Sequence, residues 1–132
     1  MSFALEIKNL KKVYAGGTEA LKGISLNVKE GDFYALLGPN GAGKSSTIGI
    51  IGTLVTKTSG SVKIFDVDID ENVAIAKSML GVVSQEINFS QFEKVHDIVI
   101  TQAGFYGIKK SIAEPKVEEM LKRLALWDKR ND

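Results

Sequence analysis

The chain has 132 residues, 44% of them hydrophobic and 25% charged, with a formal net charge of +1. That length suits one ordinary domain with a buried core, and the near-neutral balance gives no global field for nucleic acid or a membrane surface. With no cysteine and a single histidine, disulfide and thiolate chemistry and cysteine- or histidine-rich metal sites are excluded.

In chain order, Ser2 to Tyr14 alternates Phe3, Leu5 and Ile7 with Ala4, Glu6 and Lys8, the pattern of a half-buried strand. "MSFALEIKNLKK" lacks the basic, apolar and small-residue succession of a secretory signal. After the turn "AGGTEA" a second strand runs from Leu21 to Val28, and "KEGD" is the next turn. The opening third therefore reads as an antiparallel ribbon. Phe33 to Leu37 is continuously apolar, which predicts a strand buried on both faces, as in a parallel sheet. Lys44 to about Val55 predicts a helix, with Ile48, Ile51 and Leu54 or Val55 at helical spacing. "TSG" breaks it, and a short strand "SVKIFD", a helix over Val73–Leu80 and a strand "GVVSQ" follow. From Phe92 the pattern turns helical, in "VHDIVITQAGFYGI" and then "SIAEPKVEEMLKRLALW". Ser111 and Glu114 have capping-box spacing at the start of the second helix, and Pro115 falls in its first turn. The apolar stretches are strand-sized, well short of the roughly 20 residues that cross a bilayer.

Between the apolar strand and the helix lies Gly38-Pro39-Asn40-Gly41-Ala42-Gly43-Lys44-Ser45, which fits G-x-x-x-x-G-K-[ST] in full. The glycines permit backbone angles that let successive N–H groups turn inward as an anion-binding nest. The helix that follows adds its unpaired N–H groups and positive dipole end. Lys44 supplies a mobile charge to β- and γ-phosphates, Ser45 a hydroxyl to Mg²⁺, and Ser46 by position reaches the α-phosphate. Tyr14, at a strand end before a glycine turn, either offers its ring face to a base or packs on the sheet surface.

With these residues in view, the order of segments resembles the ATP-binding subunit of ABC transporters over the whole chain. The resemblance is carried by "KKVYAGGTEALKGISLNVKEGDFYALLGPNGAGKSSTIGII", "TSGSVKIFD" and "GVVSQE", and its style is similar to exporter-type subunits. It implies an α/β fold: a P-loop NTPase core of the ABC type with an N-terminal antiparallel ribbon. Residues 1–90 would hold ribbon and core, and residues 91–132 the start of a helical subdomain. It further implies ATP and Mg²⁺ as cofactors, Tyr14 stacking on adenine, and Gln85 as the Q-loop glutamine near Mg²⁺ and the attacking water. The region after Gln85, with Phe89 and Phe92, would meet a transmembrane permease subunit or pack between subdomains. A second ATP-binding subunit is implied as partner, and a place on the cytoplasmic face of the membrane through the permease.

Two residues are decoys by the same resemblance. His96 falls early in a helix-like run and reads as a solvated or capping residue. Asp66 ends "VKIFD", but Lys63 interrupts the apolar run and no glutamate follows, so it does not read as a metal-binding carboxylate. No "SGG" and no strand ending in Asp-Glu occur. Signature motif, Walker B carboxylate, catalytic glutamate and switch histidine are therefore missing, so this chain is expected to bind ATP but not to turn it over. Uncovered apolar strand surface is expected to promote non-native self-association. The alternatives are an ABC-type ATPase without a transmembrane partner, acting on ribosomes or DNA, and an unrelated phosphate-loop kinase. The near-neutral charge weighs against nucleic acid.

Overall fold

A computed structural model describes residues 3–84 and 90–132. The chain divides into two compact units, residues 1–82 and 83–132.

The first unit is built on a four-stranded antiparallel sheet of β1 (Phe3–Val13), β2 (Glu19–Lys29), β3 (Ser59–Ile64) and β4 (Val67–Asp68), in the order β2-β1-β3-β4. The ribbon expected from the alternating pattern is β1 paired with β2, with Ile7 opposite Leu26 and Lys12 opposite Leu21. Ile7 and Leu10 are both fully buried although three residues apart. On an uninterrupted strand that odd spacing would put them on opposite faces. A register shift between them, with Asn9 at φ 47°, inserts the extra residue that turns Leu10 back inward. The Asn9 N–H is satisfied by Ser25 Oγ at 2.9 Å. Ile7, Leu10, Leu21, Val62, Ile64 and Ile69 from the sheet side close a core with Ile50 of α1 (Lys44–Ile51) and Ala76 of α2 (Val73–Ser78).

β3 and β4 are joined by a two-residue turn, Phe65 and Asp66, both at positive φ (44° and 64°). That conformation matches the twist of a tight hairpin. It places the exposed Asp66 in the turn between β3 and β4.

Two expected strands do not form. Residues 33–37 and 81–84 carry no strand, and Phe33 and Val83 are 99% exposed, Leu37 89%. A strand exists only with a neighbour to take its N–H and C=O groups. Among the described residues no segment pairs with either stretch, so their apolar side chains face outward. Helix α1 also ends earlier than the apolar spacing suggests. Gly52 closes it, and the Leu54 and Val55 amides fold back onto the Gly49 carbonyl at 2.8 and 3.0 Å.

The second unit holds α3 (Val95–Phe105), α4 (Lys110–Arg123) and one 3₁₀ turn, Trp127–Lys129. Ala113, Val117 and Leu121 form the buried stripe of α4 at four-residue spacing. The expected capping box is absent, because α4 begins at Lys110 with Lys109 as its cap residue and no side-chain cap. Ser111 is thus inside the helix. Pro115 is the sixth helical residue rather than a first-turn one, and it cannot donate to the Ser111 carbonyl. His96 lies in the first turn of α3. Its backbone N–H and that of Val95 are taken by the Arg130 and Asp132 carbonyls (3.0 and 3.2 Å), while Nδ1 contacts Asp97 Oδ1 at 3.2 Å. Among the described residues no cluster of histidines and acids is fit to hold a metal, and no helix is long and apolar enough to cross a membrane.

Candidate functional site

The glycine-rich loop runs from Gly38 into α1, whose cap residue is Gly43 in the left-handed conformation (φ 78°, ψ 37°). A side chain there is impossible without rearrangement. A Cβ on Gly43 would lie 2.3 Å from the Ala20 carbonyl oxygen and 2.7 Å from Leu21 Cδ2. The loop is therefore pressed against β2 at Ala20 and the buried Leu21. Gly41 is also left-handed (φ 83°) but faces open space. Between them the Ala42 N–H closes a turn onto the Pro39 carbonyl at 3.2 Å.

The start of α1 has no side-chain cap and no acidic residue in its first turn. Its first N–H groups and positive dipole end are thus left for an anion. Lys44 folds over the loop, its Nζ donating to the Gly38 and Pro39 carbonyls at 2.6 and 3.1 Å. Ser45 is exposed and Ser46 half-buried. Thr47, 1% exposed, donates from Oγ1 to the Gly43 carbonyl at 2.8 Å and so ties the cap residue to the first turn.

Tyr14 follows the last residue of β1 and reaches this helix. Its hydroxyl and Ser46 Oγ are 2.9 Å apart, and its backbone N–H donates to the Thr18 carbonyl at 2.9 Å. Lys12 Nζ lies 4.8 Å from the Tyr14 ring centroid. Tyr14, Gly38, Pro39, Asn40, Gly41, Ala42, Gly43, Lys44, Ser45 and Ser46 are thus brought into one neighbourhood of the first unit. Gln85 and Phe89, predicted from the sequence to approach Mg²⁺ and a partner, lie outside the described residues.

Sequence reasoning missed Lys12, Thr47 and the Ala20 carbonyl. Lys12 was signalled by its place two residues before Tyr14, since alternate strand residues share a face. Thr47 and Ala20 gave no such signal, because their roles arise only where helix and strand meet.

A sheet ribbon leading to a helix capped by a left-handed glycine, with a lysine folded over the preceding turn, defines a phosphate-loop domain of the α/β class. The chain belongs to the ABC transporter family, whose profile, described by that name, matches residues 21–132. It is 36% identical over 128 residues to the linearmycin resistance ATP-binding protein LnrL of Bacillus subtilis, covering 97% of this chain and 41% of that protein. To the methionine import ATP-binding protein MetN of Helicobacter pylori it is 31% identical over 129 residues, covering 95% and 39%. Among solved structures, the dimeric ATP-binding cassette MJ0796, from Methanocaldococcus jannaschii, bound to ADP and Pi, is similar with a TM-score of 0.79 and 30% identity. That match covers 96% of this chain and 60% of the other. The chain spans about two fifths of the length of the curated relatives.

Proposed function

We propose that this chain is the nucleotide-binding part of an ABC transporter ATP-binding subunit. That subunit couples ATP binding and hydrolysis to substrate passage through a separate membrane subunit. The observation that carries the reading is the left-handed Gly43 at an uncapped, acid-free helix start, with Lys44 poised over the same loop. These features fit a triphosphate: backbone donors, a helix dipole and one cation converge, with no acidic residue in the first turn of α1.

In this reading the amides of Gly41 to Ser46 hold the β- and γ-phosphate oxygens. Lys44 exchanges its two loop carbonyls for these oxygens, forming charge-assisted hydrogen bonds. Ser46 serves the α-phosphate and Tyr14 stacks on the adenine. A bound Mg²⁺ offsets phosphate charge; Ser45 offers it a hydroxyl, and Gln85 is assigned to the same ion and to the attacking water. Residues 1–90 form the ribbon and phosphate-loop core, and residues 91–132 open a helical subdomain.

The relatives' names support a transporter setting, with a permease subunit docking after Gln85 and a second ATP-binding subunit across the nucleotide. The fully exposed Phe92 supports the first contact and the dimeric MJ0796 structure the second. The chain would then work at the cytoplasmic face of the membrane. The higher identity to the resistance protein than to the methionine importer supports an exporter-type subunit. The outward-facing Phe33, Leu37 and Val83 favour self-association of this polypeptide by itself.

Residues 1–132 supply no Ser-Gly-Gly stretch and no strand-ending Asp-Glu pair. Loss of one electrostatic contact of this kind costs about 10²–10³ in rate. Titration calorimetry with Mg-ATP, with phosphate release followed on the same sample, is expected to show one-site binding and no turnover. Steady turnover would mean that the chemistry rests on other residues, and no heat of binding would remove the cradle itself.

A further inference from the structure

The Tyr14 ring is held at its hydroxyl by Ser46 Oγ (2.9 Å) and at its backbone by Thr18 (2.9 Å). Lys12 adds a third restraint, its ammonium standing 4.8 Å from the ring centroid. The ammonium is itself anchored, donating to the Thr56 carbonyl at 2.6 Å. An ammonium over a tyrosine face is attracted by the negative π cloud. The cation stands over one face of the ring and Tyr14 as a residue is 39% exposed, so a flat ligand would have to take the face away from Lys12.

We propose that Lys12 is a positioning residue for base recognition: its anchored ammonium fixes the Tyr14 ring so that the free face receives a purine base. The inference rests on the reading of Tyr14 as the stacking residue and goes beyond it, because it names what holds the ring. An unrestrained tyrosine at a strand end would lose rotamer freedom on stacking, and that loss subtracts from affinity. A ring already fixed by Lys12, Ser46 and the strand has less to lose. The Thr56 bond also keeps the Lys12 charge at the base end of the site, apart from the phosphates that Lys44 serves.

The test uses the 132-residue chain and its K12M, K12R and Y14A variants, each titrated with Mg-ATP and with Mg-tripolyphosphate, which has the phosphates but no base. Wild type is expected to prefer ATP. K12M, which keeps the aliphatic stem and removes the charge, is expected to cut that preference about two- to fivefold, the range for an exposed cation–π contact. Its tripolyphosphate affinity should be unchanged, and K12R should restore the preference, since a guanidinium also stacks on an aromatic face. Y14A is expected to lose the preference about fivefold or more, as for a base stacked on an aromatic ring. If wild type shows no preference for ATP, or Y14A keeps it, the stacking reading fails and the Lys12 proposal with it. If Y14A loses the preference while K12M keeps it, stacking stands and Lys12 has no part in it. Equal weakening of both ligands in K12M would make Lys12 a phosphate or folding contact and overturn the proposal.

Discussion

Alanine at position 43 is expected to lower the melting temperature by at least about 5–15 °C, the conformational part alone, and to abolish triphosphate binding. Two effects add. The left-handed conformation (φ 78°) costs an L side chain about 1–2 kcal/mol, and each kcal/mol is worth about 4–8 °C in a domain of this size. The second effect is steric. The new Cβ would lie 2.3 Å from the Ala20 carbonyl oxygen, and backbone of a paired strand cannot rotate aside as a side chain would. Either the loop lifts off β2 or Gly43 leaves its conformation, and both displace the first amides of α1. The comparison that isolates the steric part is G41A. Gly41 has nearly the same φ (83°) but nothing within 4 Å of an added Cβ. G41A should therefore show only the conformational loss. Thermal unfolding by circular dichroism checks both, and equal melting temperatures for the two variants would contradict the close approach to Ala20.

Lys44→Ala is expected to leave the fold intact and weaken Mg-ATP binding about 10- to 100-fold, read by calorimetry. Hydrogen bonds to charged groups contribute about 1.5–3 kcal/mol, and each 1.4 kcal/mol is tenfold in affinity. The fold should tolerate the change because the two carbonyls that Lys44 now bonds, Gly38 and Pro39, belong to exposed loop residues, where water replaces the ammonium. The pair of variants separates two parts of the site: G43A breaks its frame, K44A only its charge. Undiminished binding in K44A would mean that the triphosphate is held somewhere other than this loop.

How much of this was legible follows from where each feature gets its information. The ribbon was legible because the alternation of Phe3, Leu5 and Ile7, and that from Leu21 to Val28, is written into each strand separately. The phosphate loop was legible because glycine spacing and the lysine are local, and α1 begins at Lys44 as the motif requires. The strand expected at 33–37 and the described part, 81–84, of the one expected at 81–85 were not obtained, since a continuous apolar run states a need for burial without supplying the neighbours that satisfy it. The start of α4 was displaced by two residues, from a cap at Ser111 to one at Lys109, for a different reason. A serine–glutamate pair at capping spacing competes with the helix propensity of the residues before it, and Lys110 joined the helix. The Lys12–Tyr14 pairing was half legible, since alternate strand residues share a face. The Thr56 carbonyl that anchors the Lys12 ammonium comes from a tertiary contact that a single sequence does not show.

The account rests on the claim that the amides between Gly41 and Ser46 grip the phosphates. The most direct measurement is a titration of the ¹⁵N-labelled chain with Mg-ATP, following backbone amide resonances. The amide signals of Gly41, Gly43, Lys44, Ser45 and Ser46 are expected to shift together and saturate, while those of α4 stay in place. Loop resonances that do not move at saturating Mg-ATP, or shifts centred on α3 and α4 instead, would contradict it.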